Sequence, residues 1–378
     1  MRIDFSSSER SSLGVEWELE LVDLDTGQLR SGSNEILAEM APPDGGEHPK
    51  AKHELLQSCV EVITDVCLTV EEARNDLAAT VAEVHEQAAK LGLGVMCSGT
   101  HPTTDWVTQE ISENPRYHEL VERNQWVARQ LQIFGVHVHV GVRSPEKVMP
   151  ILNALLSYVP HFLALSASSP YWIGSDTGLA SYRSKLFEAL PTAGLPYQLS
   201  GWHQFERYME LLISTKAIQI VREVWWDVRP HPNFGTVELR ICDGLPTLEE
   251  VAAVAAMSQC LVEQMDSQID RGYQLPEPRA WVVRENKWRA ARYGLDAEIV
   301  VDARGTVRPV RVALRELVDE LMPTARRLGC EEELVIVHRI LEHGASYERQ
   351  RRVAAEHDGD LRPVVDALLS EMRDGLPL

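Results

Sequence analysis

Apolar and polar residues alternate strictly in "SLGVEWELELVD": Val15, Trp17, Leu19 and Leu21 fall on one face of an extended chain, Glu16, Glu18 and Glu20 on the other. The same period of two recurs in "FGVHVHVGV", where Phe134, Val136, Val138, Val140 and Val142 oppose His137 and His139. In "GTVELRICDG" it sets Val237, Leu239 and Ile241 against Glu238, Arg240 and Cys242. "HELLQSCVEVITDV" adds Glu54 and a Glu61 flanked by Val60 and Val62. Strands are therefore expected over residues 13–24, 57–66, 134–142 and 235–243.

Longer periods and caps mark helices between them. "TVEEARNDLAATVAEVHEQAAKLG" opens on a capping box, Thr69 with Glu72, and stops at Gly92. "SPEKVMPILNALLSYV" has Ser144 as its cap and Pro145 at the first helical position, and "TLEEVAAVAAMSQCLVEQMDSQID" repeats the capping device with Thr247 and Glu250. Strands at irregular intervals, without a βαβα rhythm, predict an α+β fold with a largely antiparallel sheet. No linker or internal repeat divides the chain, so residues 1–378 are read as one domain.

Composition narrows the function. The chain has 378 residues, 44% of them hydrophobic, which is enough for a sizeable core. With 37 basic against 57 acidic residues the formal charge is −20, and no basic stripe is present, which argues against a nucleic-acid partner. The first residues carry no apolar signal segment, and "MPILNALLSYVPHFLALSASSPYWI" is interrupted by Asn153, Pro160 and His161, which suits a buried helix rather than a membrane span. A cytoplasmic protein without a membrane partner is expected. Six cysteines lie scattered without a CxxC pair, as buried thiols would.

A row of glutamates about 6.8 Å apart is either a solvated outer face or a site. Taken together, four distant strands each pair an aliphatic face with one bearing Glu, His or Arg. If they neighbour one another in a sheet, their polar faces make a floor dense in carboxylates, which is costly to desolvate without cations. Oxygen ligands with one or two imidazoles suit Mg²⁺ or Mn²⁺ better than zinc, and Mg²⁺ on carboxylates points to a nucleotide phosphate. Neither GxxxxGK[ST] nor GxGxxG is present. Phosphate contacts are sought instead at Arg183, Arg240 and the cluster in "RENKWRAARYG", which includes Lys287 and Arg289; Arg222 and Arg229, beside Trp225 and Trp226, are candidates to grip a substrate carboxylate.

The segments "GVEWELEL", "VEVITDV", "FGVHVHVG", "WWDVRPHPNFGTVELRICD" and "RENKWRAARYGLDA", in this order, resemble the glutamate-cysteine ligase type 2 family, the YbdK-like carboxylate-amine ligases. The resemblance implies a glutamine-synthetase-like fold, an antiparallel saddle backed by helices whose concave face takes metals, ATP and substrates. It implies that ATP phosphorylates the γ-carboxylate of L-glutamate and that an amine, L-cysteine by default, attacks the acyl phosphate to give a γ-glutamyl amide, ADP and phosphate. It assigns Glu16, Glu18, Glu54, Glu61, Glu238 and His137 to metal, places Arg240 near the transferred phosphoryl group, and leaves His139 between metal and phosphate. A homodimer is an expectation from the same resemblance. The loop over the site is sought in the Gly- and Pro-rich segment 189–202. Two other readings compete: a hydrolase with zinc on His137 and His139, and a nucleotide- or amino-acid-binding regulator without turnover.

Overall fold

The computed structural model describes residues 2–376. Seven strands form one antiparallel sheet: β1 (Leu13–Asp23), β2 (Ala51–His53), β3 (Cys59–Ile63), β4 (Leu93–Met96), β5 (Gly135–Gly141), β6 (Val228–His231) and β7 (Thr236–Asp243). Their spatial order is β6-β7-β5-β1-β3-β2, with β4 pairing the far end of β1. The four strands expected from alternation are the four central ones, so the long-range pairing brings together the polar faces that the sequence keeps apart.

Register decides what meets what, because directly opposed residues share a face. Glu16 opposes His137, Glu18 opposes Glu61, His139 opposes Glu238, and Glu238 opposes Arg229. The other face is aliphatic and closed to solvent: Val15, Trp17, Val62, Val138 and Val237 are all 2% exposed or less. Helices α1 (Val70–Lys90), α2 (Pro115–Asn124), α3 (Pro145–Leu155), α4 (Arg183–Phe187), α5 (Leu248–Asp270) and α6 (Ala280–Tyr293) surround the sheet, and α1, α3 and α5 cover its aliphatic face.

Two of the caps expected from the sequence differ in detail: Ser144 stands at the N-cap position before Pro145 but its side chain makes no capping bond, and the Thr247 cap is only half a box. Thr69 and Glu72 make both halves of the capping box of α1. Thr247 accepts from the amide of Glu250, but the Glu250 carboxylate turns instead to the Thr247 hydroxyl and Arg349. Among the described residues no single helix is long and apolar enough to cross a membrane; the apolar stretch is split into α3 and Val159–Ser166, bent by 63°. All six cysteines are buried free thiols.

β7 departs from strict alternation. Leu239 opposes Val138, yet Cys242, not Ile241, opposes Val136, so one extra residue is accommodated between them. This bulge corrects the expected face of Cys242: it joins the aliphatic core at 1% exposure instead of standing beside Glu238 and Arg240. Asp243 is turned the other way and pairs with Gly135, on the side of His137 and His139.

Candidate active site

The polar face of the sheet is the floor of a cavity of about 610 Å³. Glu16, Glu18, Glu61, His137 and Arg240 project from the strands, and Glu54 reaches it from the turn after β2. Glu238 is fully buried at its edge, clasped by two guanidinium groups: Arg229 Nε donates to Oε2 at 2.5 Å and Arg240 Nη1 donates to Oε1. Glu16 joins both imidazoles, 2.9 Å from His137 Nδ1 and 3.1 Å from His139 Nε2. Glu18 accepts from the Gly135 amide at 2.5 Å.

The acids divide electrostatically. Burial raises Glu18 to about 8, with Glu54 adding repulsion, and raises Glu54 and Glu61 as well, the latter under the field of Glu16. Burial works against the charged forms of Glu16 and Glu238 too, yet His139 and His137 hold Glu16 well below the usual range, and Arg229 and Arg240 do the same for Glu238. His137 falls to about 4 through burial and the charge of Arg240, so its ring is neutral and its buried Nε2 has no partner. Burial opposes the charging of His139, but Glu238 and Glu16 outweigh it and raise its pKa.

This donor set fits divalent cations. One ligand atom from each of Glu16, His137 and Glu238 lies within 4.8 Å of the others, and Glu18, Glu61 and His137 form a second such group. Carboxylate oxygens with a single neutral imidazole match a hard cation, and a cation would offset the burial and mutual repulsion that hold protons on Glu18 and Glu61.

Facing the floor is α2, begun by the Asn114 cap and Pro115, with no buried residue along its length. Arg116, Tyr117, Leu120 and Arg123 look into the cavity, and Arg123 reaches Glu223 at 2.7 Å. A third wall carries Arg183 and Phe187 from α4 with Arg222 and Trp225. None of the α2 residues is marked by strand alternation. The signal lay in the spacing of Arg116 and Arg123, seven apart and so on one helical face.

Two expected phosphate contacts lie elsewhere. Lys287 is 2% exposed and ion-paired with Asp227 at 2.6 Å and with Glu188, and Arg289 pairs with Glu285 at 2.7 Å and donates to the Glu298 carbonyl at 3.0 Å; neither lines the cavity. On their helix, α6, both side chains are taken by structural partners. Arg229 is committed to Glu238 and to the carbonyls of Arg222 and Val224. Glu20 also leaves the floor: its Oε1 accepts from the amide and hydroxyl of Ser98, both at 2.8 Å. Of the segment expected as a lid, only Leu190 lines the cavity.

A model of the family described as glutamate-cysteine ligase family 2 matches residues 12–367. A Frankia alni protein provisionally named glutamate–cysteine ligase 2-1 is 62% identical over all of this chain and 99% of its own length. A Thermobifida fusca protein provisionally named glutamate–cysteine ligase 2 is 54% identical over all of this chain and 94% of its own length. Among solved structures, the glutamate–cysteine ligase of Francisella tularensis in complex with AMP superposes with a TM-score of 0.72 at 12% identity, covering 98% of this chain and 90% of that one, a likeness of fold. The acid-floored sheet, its covering helices and the full-length match agree: this chain belongs to glutamate-cysteine ligase family 2.

Proposed function

We propose that the protein is an ATP-dependent carboxylate–amine ligase that joins the γ-carboxylate of L-glutamate to an amine, L-cysteine by default, with release of ADP and phosphate. The observation that carries this reading is the convergence of Glu16, Glu18, Glu54, Glu61, His137 and Arg240 on one cavity, with Glu238 buried at its edge. The names of the full-length relatives support the substrate pair.

The chemistry asks for what this cavity offers. ATP and a carboxylate are both anions, so their approach needs positive charge and fixed geometry. Arg240 and Arg183 supply guanidinium donors on the floor and wall; the Nε of each is buried with no partner in the protein. Mg²⁺ or Mn²⁺ held by Glu16, His137 and Glu238, and by Glu18 and Glu61, would neutralise the phosphate tail. Transfer of the terminal phosphoryl group to the carboxylate gives an acyl phosphate, and attack by the amine nitrogen expels phosphate. The α2 wall, joined across the mouth by Arg123 and Glu223, shelters that intermediate from water. A zinc hydrolase fits less well, since both ring nitrogens of His139 are already occupied, by Thr236 and Glu16.

The test is incubation with ATP, Mg²⁺, L-glutamate and a panel of amines, following ADP and product mass. ADP formation that requires both glutamate and an amine, with a matching amide mass, is expected. No ADP with any amine would overturn the reading.

A further inference from the structure

Behind the cavity wall lies a buried acid with no place in the chemistry above. Asp243 is 0% exposed, and its oxygens accept from the Ser168 amide at 3.0 Å, the Ser169 hydroxyl at 2.6 Å and the Ser181 hydroxyl at 2.8 Å. The Ser169 hydroxyl in turn accepts the backbone N–H of Arg183 at 3.0 Å. Two glycines make room for the assembly. A Cβ at Gly99 would lie 2.7 Å from Asp243 Cγ, and one at Gly135 would lie 2.2 Å from Arg183 Nη2.

The group at the end of this chain is largely uncommitted. Arg183 is 3% exposed although it lines the cavity; of its five N–H donors, Nη1 makes one long bond of 3.4 Å to the Arg240 carbonyl and the buried Nε makes none. A buried guanidinium with spare donors, held in place from behind, is pre-ordered for an oxyanion, since little freedom is lost when the anion arrives.

We propose that Asp243 is a positioning residue: through Ser169 and Ser181 it fixes the start of α4 and so aims the Arg183 guanidinium as a clamp for a substrate oxyanion, phosphate or carboxylate. The bulge in β7 is what turns Asp243 to this side of the sheet. The proposal rests on the ligase reading only for the identity of that anion.

The test is a double-mutant cycle on the full chain with D243N and R183K, using inorganic pyrophosphate with Mg²⁺ and L-glutamate as separate calorimetric probes. D243N is expected to weaken the better-bound probe by about tenfold to a hundredfold, the cost of an ångström-scale misplacement. The double variant should lose no more than R183K alone, because both act through one group. S169A, which removes only the hydroxyl that receives Arg183 N–H, should reproduce the loss and serves if D243N does not fold. Wild-type affinities in D243N and S169A, losses that multiply in the cycle, or a wild type that binds neither probe would each overturn the proposal. ADP release is scored separately: a ligase with a multiplicative cycle keeps the function and loses the clamp, and a non-ligase with a saturating cycle does the reverse.

Discussion

Arg229 and Glu238 face each other across β6 and β7 and form an ion pair of 2.5 Å in which the carboxylate has no solvent exposure. With Arg240 on its other oxygen, Glu238 is held well below the usual carboxylate range and stays charged at neutral pH. Replacing it with alanine would strand two guanidinium groups, at a cost of about 3–5 kcal/mol. E238Q keeps the shape, and we expect it to fold with a lowered melting temperature while losing about a hundredfold or more in ADP release. Near-wild-type turnover in E238Q would remove Glu238 from the site.

Cation binding should be coupled to protons. Glu18, at about 8, and Glu61, pushed well above the usual carboxylate range by burial, hold protons that a metal must displace. Affinity for Mg²⁺ should therefore strengthen as pH rises from about 6 to about 8.5, with proton release visible by calorimetry in two buffers of different ionisation enthalpy. A flat profile in both buffers would contradict this assignment.

Glu20 offers a separate pH test. Burial raises it to about 8 against an ordinary value of 4.5, so the folded state binds its proton more tightly than the unfolded state does. That contribution to stability is complete below about 4.5 and is lost as pH rises through about 8. E20Q imitates the neutral form, and the floor acids act alike in both proteins. Wild type should melt at least about 2 °C below E20Q at alkaline pH, with the gap closing near pH 4.5.

Across the cavity mouth, Arg123 and Glu223 tie α2 to the opposite wall. R123A should cost less than about 1 kcal/mol in stability, as half-exposed pairs do. Its effect should appear as uncoupling, with more ADP and phosphate released per amide formed, because water reaches the acyl phosphate. Product ratios by mass spectrometry measure this directly, and an unchanged ratio would deny α2 a sheltering role.

Lys287 tests the corrected reading of α6. Buried between Asp227 and Glu188, it ties that helix to the wall carrying Trp225. K287M should lower stability by about 3–5 kcal/mol through the carboxylates left behind. Its KM for ATP should stay within a few-fold of wild type where the protein is folded. A selective rise in that KM would return Lys287 to the nucleotide.

The sheet and its floor were legible because alternation by two is read directly from the chain: Glu16, Glu18, Glu61, His137, Glu238 and Arg240 all stand on the face their parity predicts. Parity fails wherever geometry is not periodic. The bulge moved Cys242 into the core and hid the position of Asp243, and no one-dimensional pattern reports such a shift. Side chains outside the sheet were harder still. Arg116 and Arg123 reach the cavity only because α2 folds over it. Lys287 and Arg289 look like phosphate ligands until their acidic neighbours, remote in sequence or on the outer helix face, claim them.

The change of phase in β7 has a consequence for how this chain tolerates alteration in length. Before the bulge, odd-numbered residues face the covering helices; after it, even-numbered ones do. Removing Ile241 would restore a regular ladder with Cys242 still opposite Val136 and Asp243 still opposite Gly135, whereas flattening the bulge at full length would set Cys242 opposite Gly135, driving Asp243 into hydrocarbon and emptying the seat behind Arg183. Surface loops absorb insertions and deletions readily, whereas in this strand, buried on both sides, the extra residue of the bulge marks the one step at which a residue can be lost with core and cavity wall kept on their own faces.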